Sequence, residues 1–203
     1  MAAERLFAEQ GVFAVSNRQV SEAAGQGNNA AVGYHFGTKA DLIRAIVRKH
    51  NEQVERVCQQ MVDGVGDSAD VRDWVEPLVR SFAVHLTDLA GDEGETTWYA
   101  RFSAQLMPDP AHRDIASEES LASSSVLQII QGLNRCLPDM PAGVRVERNA
   151  MARHLIVHMF AEQERALADR DPTVRPGFDD TADALVDAIT GLMLAPVTRK
   201  ESP

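Results

Sequence analysis

Cysteine is scarce in this chain, because only Cys58 and Cys136 occur among 203 residues. Two cysteines cannot build the framework of disulfides that holds small secreted domains together. We therefore expect both thiols to be free, and either buried or neutral. A protein of a reducing, cytoplasmic compartment is the corresponding prediction.

Long hydrophobic runs are also missing. No segment reaches the roughly 20 apolar residues that are needed to cross a bilayer, and the opening residues lack the basic region and apolar stretch of a secretion signal. Hydrophobic residues still make up 44% of the chain, which is enough to bury a core and argues against disorder. The sequence thus predicts a folded cytoplasmic protein with no membrane association.

Basic residues are outnumbered, with 20 Lys and Arg against 30 Asp and Glu. This balance argues against binding to a polyanion, which requires phosphate neutralisation by Lys and Arg. The first 50 residues differ, because they hold six basic and four acidic side chains. A basic end on an acidic chain is the distribution expected when one small region meets an anion and the remainder stays in solution.

Motifs of catalysis and of metal binding are lacking as well. Ser123–Ser125 has none of the glycines of a nucleophile elbow, and no phosphate-binding glycine motif occurs. His154 and His158 have the i, i+4 spacing of some zinc ligands, but no third acidic ligand or HExxH pattern accompanies them. We predict a protein that is not an enzyme and holds no metal or cofactor, with this histidine pair in a dimer interface or pocket.

What the chain does have is apolar residues at steps of three and four, the pattern of amphipathic helices. No segment alternates as a strand would. The prediction is an all-α fold, with helices at about residues 2–10, 16–24, 28–34, 39–61, 71–89, 97–106, 126–137, 148–168 and 180–195. A break rich in Gly and Asp is expected at residues 63–68.

The N-terminal helices carry specific start and stop signals. Ser16 and Gln19 fit a capping box at the start of the second helix, which Gly25 ends. Val20, Ala23 and Ala24 are expected on the buried side of this helix, where the small Ala23 and Ala24 let a third helix cross closely, as a helix-turn-helix requires. Phe36 is expected in the core, and Thr38 is expected to cap the long fourth helix.

The segments Leu6–Gly11, Val20–Gly25 and Ala31–Leu42 resemble the tetracycline-repressor (TetR) family of bacterial regulators. The resemblance implies a homodimeric, ligand-responsive transcriptional regulator, most often a repressor. It implies a helix-turn-helix DNA-binding domain at residues 1–50, formed by three helices. Residues 51–203 would then form a larger helical domain for effector binding and dimerisation.

The resemblance also implies which residues contact double-stranded DNA. The third helix would enter the major groove, where Asn can pair with adenine, while Tyr and Lys reach phosphates. The turn at Gln26–Asn29 is one residue longer than is common, and Gly27 and Gly33 leave fewer side chains for base edges. The implied DNA-binding residues are Ser16, Arg18, Asn28, Asn29, Ala30, Gly33, Tyr34, His35 and Lys39.

The helices that enclose the effector in that family are rich in aromatic residues here. A mixed aromatic pocket with few polar groups would suit a small, largely apolar molecule, although packing of the core explains the same residues almost as well. The candidate effector-binding residues are Trp74, Phe82, His85, Trp98, Tyr99, Phe102 and Met107.

The last two predicted helices, Arg148–Ala168 and Asp180–Ala195, show more apolar surface than one body needs. We expect them to form a four-helix interface between two subunits, which would bind a palindromic operator. The alternative is a helical small-molecule or protein-interaction dimer that has lost DNA binding. An enzyme built on the same helical body is a third and weaker hypothesis.

Overall fold

The computed structural model describes residues 2–25, 31–91, 96–171 and 177–198. Within these ranges the chain is helical and contains no strand, which confirms the predicted all-α fold. The helices are α1 (Ala2–Gln10), α2 (Asn17–Ala23), α3 (Ala31–Phe36), α4 (Lys39–Val65), α5 (Val71–Ala90), α6 (Tyr99–Leu106), α7 (Pro110–Leu121), α8 (Ser124–Cys136), α9 (Ala142–Ala168) and α10 (Asp179–Leu194).

The first two helices begin and end where their local signals predict. Gly11 follows α1 with a φ of 86°, a left-handed conformation that glycine adopts without strain. At the start of α2, the Ser16 amide donates to the Gln19 side chain over 2.8 Å, and the Gln19 amide donates back to the Ser16 hydroxyl. The predicted capping box is therefore confirmed.

Two predictions about burial in this region are wrong. Ala23 and Ala24 are exposed, while Val20 is buried as predicted and is joined on the buried side of α2 by Ser21. Phe36 is 43% exposed rather than part of the core. It lies in the last turn of α3, which extends two residues beyond the predicted end, and Leu42 and Ile43 of α4 supply the buried apolar side chains next in the chain.

Helix α4 connects the N-terminal helices to the rest of the molecule. Thr38 and Asp41 form a second capping box at its start, as predicted for Thr38. The helix runs to Val65 and not to about residue 61, because Val62 and Val65 continue its apolar side past the exposed Gly64. The predicted break is correspondingly shorter and begins at Gly66.

The body packs around α5, which contacts α4, α8 and α10, while α6 lies between α1 and α9. Helix α7 was not predicted, because Ile115 is its only buried residue and no apolar period marks it. Its start is set locally by Asp109, which accepts a bond from the His112 amide, and by Pro110 in the first turn.

Helices α8 to α10 lie close to the predicted segments, with differences at their ends. Helix α9 begins at Ala142, six residues before the predicted Arg148. Helix α10 begins at Asp179, one residue before the predicted Asp180, and Phe178 occupies its capping position. On α8, Ile129 and Leu133 are buried while Ile130 is half-buried.

Helix α9 carries two buried charged side chains, and each stabilises the end of another helix. The Arg148 guanidinium donates to the carbonyl oxygens of Met193 and Ala195 at the end of α10. Glu164 accepts from the backbone amides of Ala100 and Arg101 at the start of α6. These bonds place a cation at a helix C-terminus and an anion at a helix N-terminus, where each is favoured by the helix dipole.

Both cysteines are free, as expected, and burial raises the pKa of the Cys58 thiol. Among the described helices, none combines the length and the apolar character that a membrane span requires.

Candidate nucleic-acid interface and ligand site

Helix α2 presents one exposed cation at the candidate DNA-binding surface. The Arg18 side chain is 72% exposed, and its Nε donates to Glu22 over 2.8 Å along the same helix. The Ser16 hydroxyl serves the capping box described above, so its first role is to begin the helix. The guanidinium has four further N–H donors, so Arg18 can contact an anion while it keeps its bond to Glu22.

Helix α3 is short and projects its aromatic residues into solvent. Tyr34 is 85% exposed, and its ring meets the edge of the His35 ring at a centroid distance of 5.3 Å. Gly33 and His35 are exposed as well. The predicted contacts Asn28, Asn29 and Ala30 lie outside the described residues.

Lys39 joins the start of α4 to the turn after α1. Its ammonium group donates to the backbone carbonyl of Val12 over 2.8 Å. An ammonium group has three hydrogens, so two remain for an anion beside this surface. Lys39 can therefore fix the spacing between two helices and still contact a phosphate.

Arg44 and Arg48 of α4 bind acidic side chains of α7. Arg44 lies 2.9 Å from Glu118 and 3.0 Å from Glu119, and Arg48 lies 2.9 Å from Glu119. The hydrogen bond from Arg48 contributes most to the lowered pKa of the Glu119 carboxyl. These cations are therefore committed to holding α7 against α4.

Four of the seven candidate effector residues meet in one buried aromatic cluster between α5 and α6. The Tyr99 ring lies 5.7 Å from both Phe82 and His85 and 6.2 Å from Phe102, measured between centroids. Burial raises the pKa of Tyr99. The ring of Phe102 in turn stacks on Phe7 of α1 at 5.9 Å, which brings the cluster into contact with the N-terminal helices.

The remaining three candidates have separate surroundings. Trp74 packs against Gly132 of α8, and its Nε1 donates to the Ser68 carbonyl over 3.0 Å. It precedes His85 by 11 residues, or about 16 Å along α5. Trp98 is half-buried beneath the guanidinium of Arg101, and Met107 is buried at the end of α6. Trp74 therefore has the contacts of a core residue.

Sequence reasoning missed Glu4 and His50, which the fold places beside His85. Nδ1 of His50 lies 2.8 Å from Nε2 of His85, and Nε2 of His50 lies 3.3 Å from Oε2 of Glu4. Nε2 has no partner in hydrogen-bond geometry, so the contact with Glu4 is a close polar contact between two buried side chains. The Tyr99 ring stacks on His50 at 3.7 Å. The signal available in the sequence was a histidine three residues after Val47, on the apolar side of α4.

The protonation of this group reflects its burial and its neighbours. Burial alone would raise the pKa of Glu4, but hydrogen-bond and charge interactions, those with His50 first among them, lower it to about 2. Burial and then the charge of His50 lower the pKa of His85 to about 4. Near neutral pH, Glu4 is therefore an anion and His85 a neutral imidazole.

A second candidate surface is an open apolar groove of about 700 Å³ on α9 and α10. His154 and His158 lie in it with parallel rings 5.6 Å apart. Burial and then neighbouring Arg153 lower the pKa of His154. No set of three metal-ligating side chains occurs within the described part of the chain. The groove residues are Glu147, Ala150, Met151, His154, Leu155, His158, Met159 and Leu192.

Comparison with known proteins identifies the N-terminal helices. Residues 1–46 match the family model of the bacterial regulatory proteins of the tetR family. Comparison with curated proteins gives no match. The matched residues contain α1, α2, α3 and the start of α4, together with the exposed side chains described above. This match identifies a DNA-binding domain of the tetR type at residues 1–46, and on the evidence of this domain the chain is a DNA-binding transcriptional regulator.

Proposed function

We propose that this regulator is a cytoplasmic homodimeric repressor that a small, largely apolar effector releases from a palindromic operator. We infer the response to ligand from the stacking of Phe102 on Phe7. Through this contact the aromatic cluster of the body packs directly against α1. A ligand that reorganises the cluster would therefore displace a helix of the DNA-binding domain.

The proposed domains are residues 1–50 for DNA binding and 51–203 for effector binding and dimerisation. Helix α4 belongs to both, because its first turns complete the N-terminal core and its later turns pack on α5 and α8. A movement of α4 therefore changes the distance between the two DNA-binding domains of a dimer. Half-sites one helical turn apart, about 34–36 Å, would no longer be matched.

The proposed dimer uses the groove on α9 and α10. Met151 and Met159 line it while 49% and 41% exposed. A contiguous apolar face of this kind on a soluble protein is characteristic of an interaction site. A second copy of the chain would cover it with an identical surface, as a two-fold interface does.

The proposed DNA contacts divide into reading and anchoring residues. The residues of α3, with Asn28, Asn29 and Ala30 before it, are proposed to enter the major groove, and Gly33 allows close approach to the bases. Ser16, Arg18, Tyr34, His35 and Lys39 are proposed to contact the phosphate backbone. Only two of these are full cations, so a modest salt dependence is expected.

The proposal is tested by measuring binding to the DNA immediately upstream of the coding region of the chain, at several salt concentrations. Lys39→Ala should weaken binding and lower the slope of log K against log salt by about one. The matched control is Lys49→Ala, which removes an exposed cation from the same helix. If wild type binds no DNA, or if both variants behave alike, the proposed contacts are wrong.

A further inference from the structure

A continuous chain of buried polar side chains joins the DNA-binding domain to the body. Glu4 belongs to α1, His50 to α4 and His85 to α5, and the three residues are 7%, 2% and 4% exposed. The contacts between them, 3.3 Å and 2.8 Å long, run in series, with His50 in the middle. Through His50, these two contacts connect α1 with α5.

Burying these polar side chains costs free energy unless they contact one another, and they do so only in one relative position of the helices. Apolar side chains of similar volume would often stabilise a core at least as well as a buried ion pair. Apolar contacts are non-directional, however, and tolerate small sliding of one helix past another. A carboxylate and two imidazoles are satisfied only when their atoms are aligned, and an unpaired one costs the full desolvation of its polar group.

We propose that the Glu4–His50–His85 chain is a coupling element, which holds α1 in one orientation on the body and transmits a change in bonding at His85 to the DNA-binding domain. The inference rests on the proposed function for its consequence at the operator.

The outer end of the coupling chain lies in the candidate effector cluster, where the rings of His85 and Tyr99 meet edge to face. An apolar ligand with one polar group that bonds Nε2 of His85 would compete with His50 for that nitrogen. Nδ1 of His50 would lose its partner while its other nitrogen still faced Glu4. The effector class assigned to this site is therefore an apolar molecule carrying a single hydrogen-bonding group.

Three variants separate coupling from packing in the full-length protein. His85→Phe keeps a ring but removes the nitrogen that His50 contacts, and His85→Gln keeps a polar group there. Glu4→Gln removes the charge at the other end. The control is Phe82→Leu, which alters the same aromatic cluster without removing a member of the coupling chain.

The first measurement is amide hydrogen exchange at residues 2–10 and at residues 179–194 of α10. His85→Phe and Glu4→Gln should speed exchange in α1 by on the order of ten- to a hundred-fold, the range for a buried polar group that loses its partner. Exchange in α10 should remain at the wild-type rate, and His85→Gln should stay within a few-fold of wild type. Equal acceleration in both helices, or the same α1 response to Phe82→Leu, would show a packing role and overturn the proposal.

The second measurement is a double-mutant cycle on Glu4 and His85, which do not need to touch in order to be coupled. In a series of contacts, breaking both ends should affect α1 exchange and operator binding no more than the worse single change. Independent, additive effects would overturn the coupling chain. If the wild-type chain binds no upstream DNA, the proposed function fails, while the exchange cycle still decides whether the coupling exists.

Discussion

At the scale of single residues, Gly132 shows how closely α8 approaches α5. A Cβ atom built at this position would lie 2.2 Å from the nearest atom of the Trp74 ring. The ring is rigid, buried and held by its bond to Ser68, so it cannot turn aside without opening the core. Only glycine is compatible with this contact.

Gly132→Ala is therefore expected to destabilise the protein, although alanine is the better helix former. Overpacking of this kind costs about 1–3 kcal/mol. Gly64→Ala in α4 is the matched control, since a Cβ there meets nothing within 4 Å, and it should raise stability by up to about 1 kcal/mol. Denaturant unfolding measures both; equal midpoints would mean that the Trp74 ring can move.

A second prediction at this scale concerns pH. The folded pKa of His85 is about 4, against an ordinary value of 6.5. Between these values the unfolded chain binds a proton on this residue that the folded chain does not, so stability should fall as the pH is lowered from 6.5 towards 4. Glu4, whose pKa is lowered from 4.5 to about 2, adds a further loss below pH 4.5.

The measurement is the free energy of unfolding of wild type and His85→Gln at intervals from pH 7 to pH 4.5. Glutamine does not titrate, so the variant should show a shallower decline over this range. His112→Gln is a control, because it removes a histidine of α7 that is not part of the buried chain. Identical slopes for wild type and His85→Gln would mean that folding does not lower the pKa of His85.

At the scale of helices, the start of α6 depends on a single carboxylate. Glu164 accepts bonds from the Thr97 hydroxyl, the Ala100 and Arg101 amides and the Arg101 side chain, over 2.7 to 3.2 Å. Glu164→Gln replaces an acceptor with a donor group that faces these donors. Since the site is buried, we expect a loss of about 2–4 kcal/mol.

The exposed Glu162 on the same helix supplies the control, and Glu162→Gln should change stability by less than about 0.5 kcal/mol. Thermal and denaturant unfolding of both variants measure these changes in stability. Because α6 also packs on α1, Glu164→Gln should in addition weaken operator binding. A variant as stable as wild type would mean that water or another group satisfies these amides.

Helices are predictable from the sequence when a periodic apolar side and end signals occur together. Helices α1, α5 and α10 combine one apolar side with clear end signals, and their predicted bounds were close to the observed ones. Helix α7 has Asp109 and Pro110 at its start but only one buried residue, so a search for apolar periods passes over it. Local chemistry marks its start, while its packing depends on ion pairs with α4 that no local pattern encodes.

In the candidate site, too, some residues belong to local sequence patterns and others meet only through packing between helices. The exposed Tyr34 and the capping residue Ser16 belong to short local patterns, and these were recognisable. Glu4, His50 and His85 meet only because three helices pack together, and their separation along the chain hides the contact. Aromatic content alone likewise could not distinguish Trp74, which packs on Gly132, from Tyr99 in the cluster.

At the scale of the whole molecule, the groove on α9 and α10 predicts the oligomeric state. Met151 and Met159 of two subunits bring four partly exposed side chains to a two-fold interface, and burying a methionine fully contributes about 1.5–3 kcal/mol. Met151→Glu combined with Met159→Glu places four carboxylates there instead. We expect a folded monomer, seen by sedimentation velocity, with an unchanged helical circular dichroism spectrum.

The matched control is Leu121→Glu, which charges an equally prominent apolar residue, 52% exposed, on α7. It should remain dimeric if the groove is the interface. Because two half-sites are bound together only by a dimer, the monomeric variant should also lose most operator affinity while Leu121→Glu keeps it. If the dimer persists after both methionines are charged, the interface lies elsewhere than on α9 and α10. If the wild-type protein is a monomer, the proposal that two DNA-binding domains are spaced to match two half-sites is wrong.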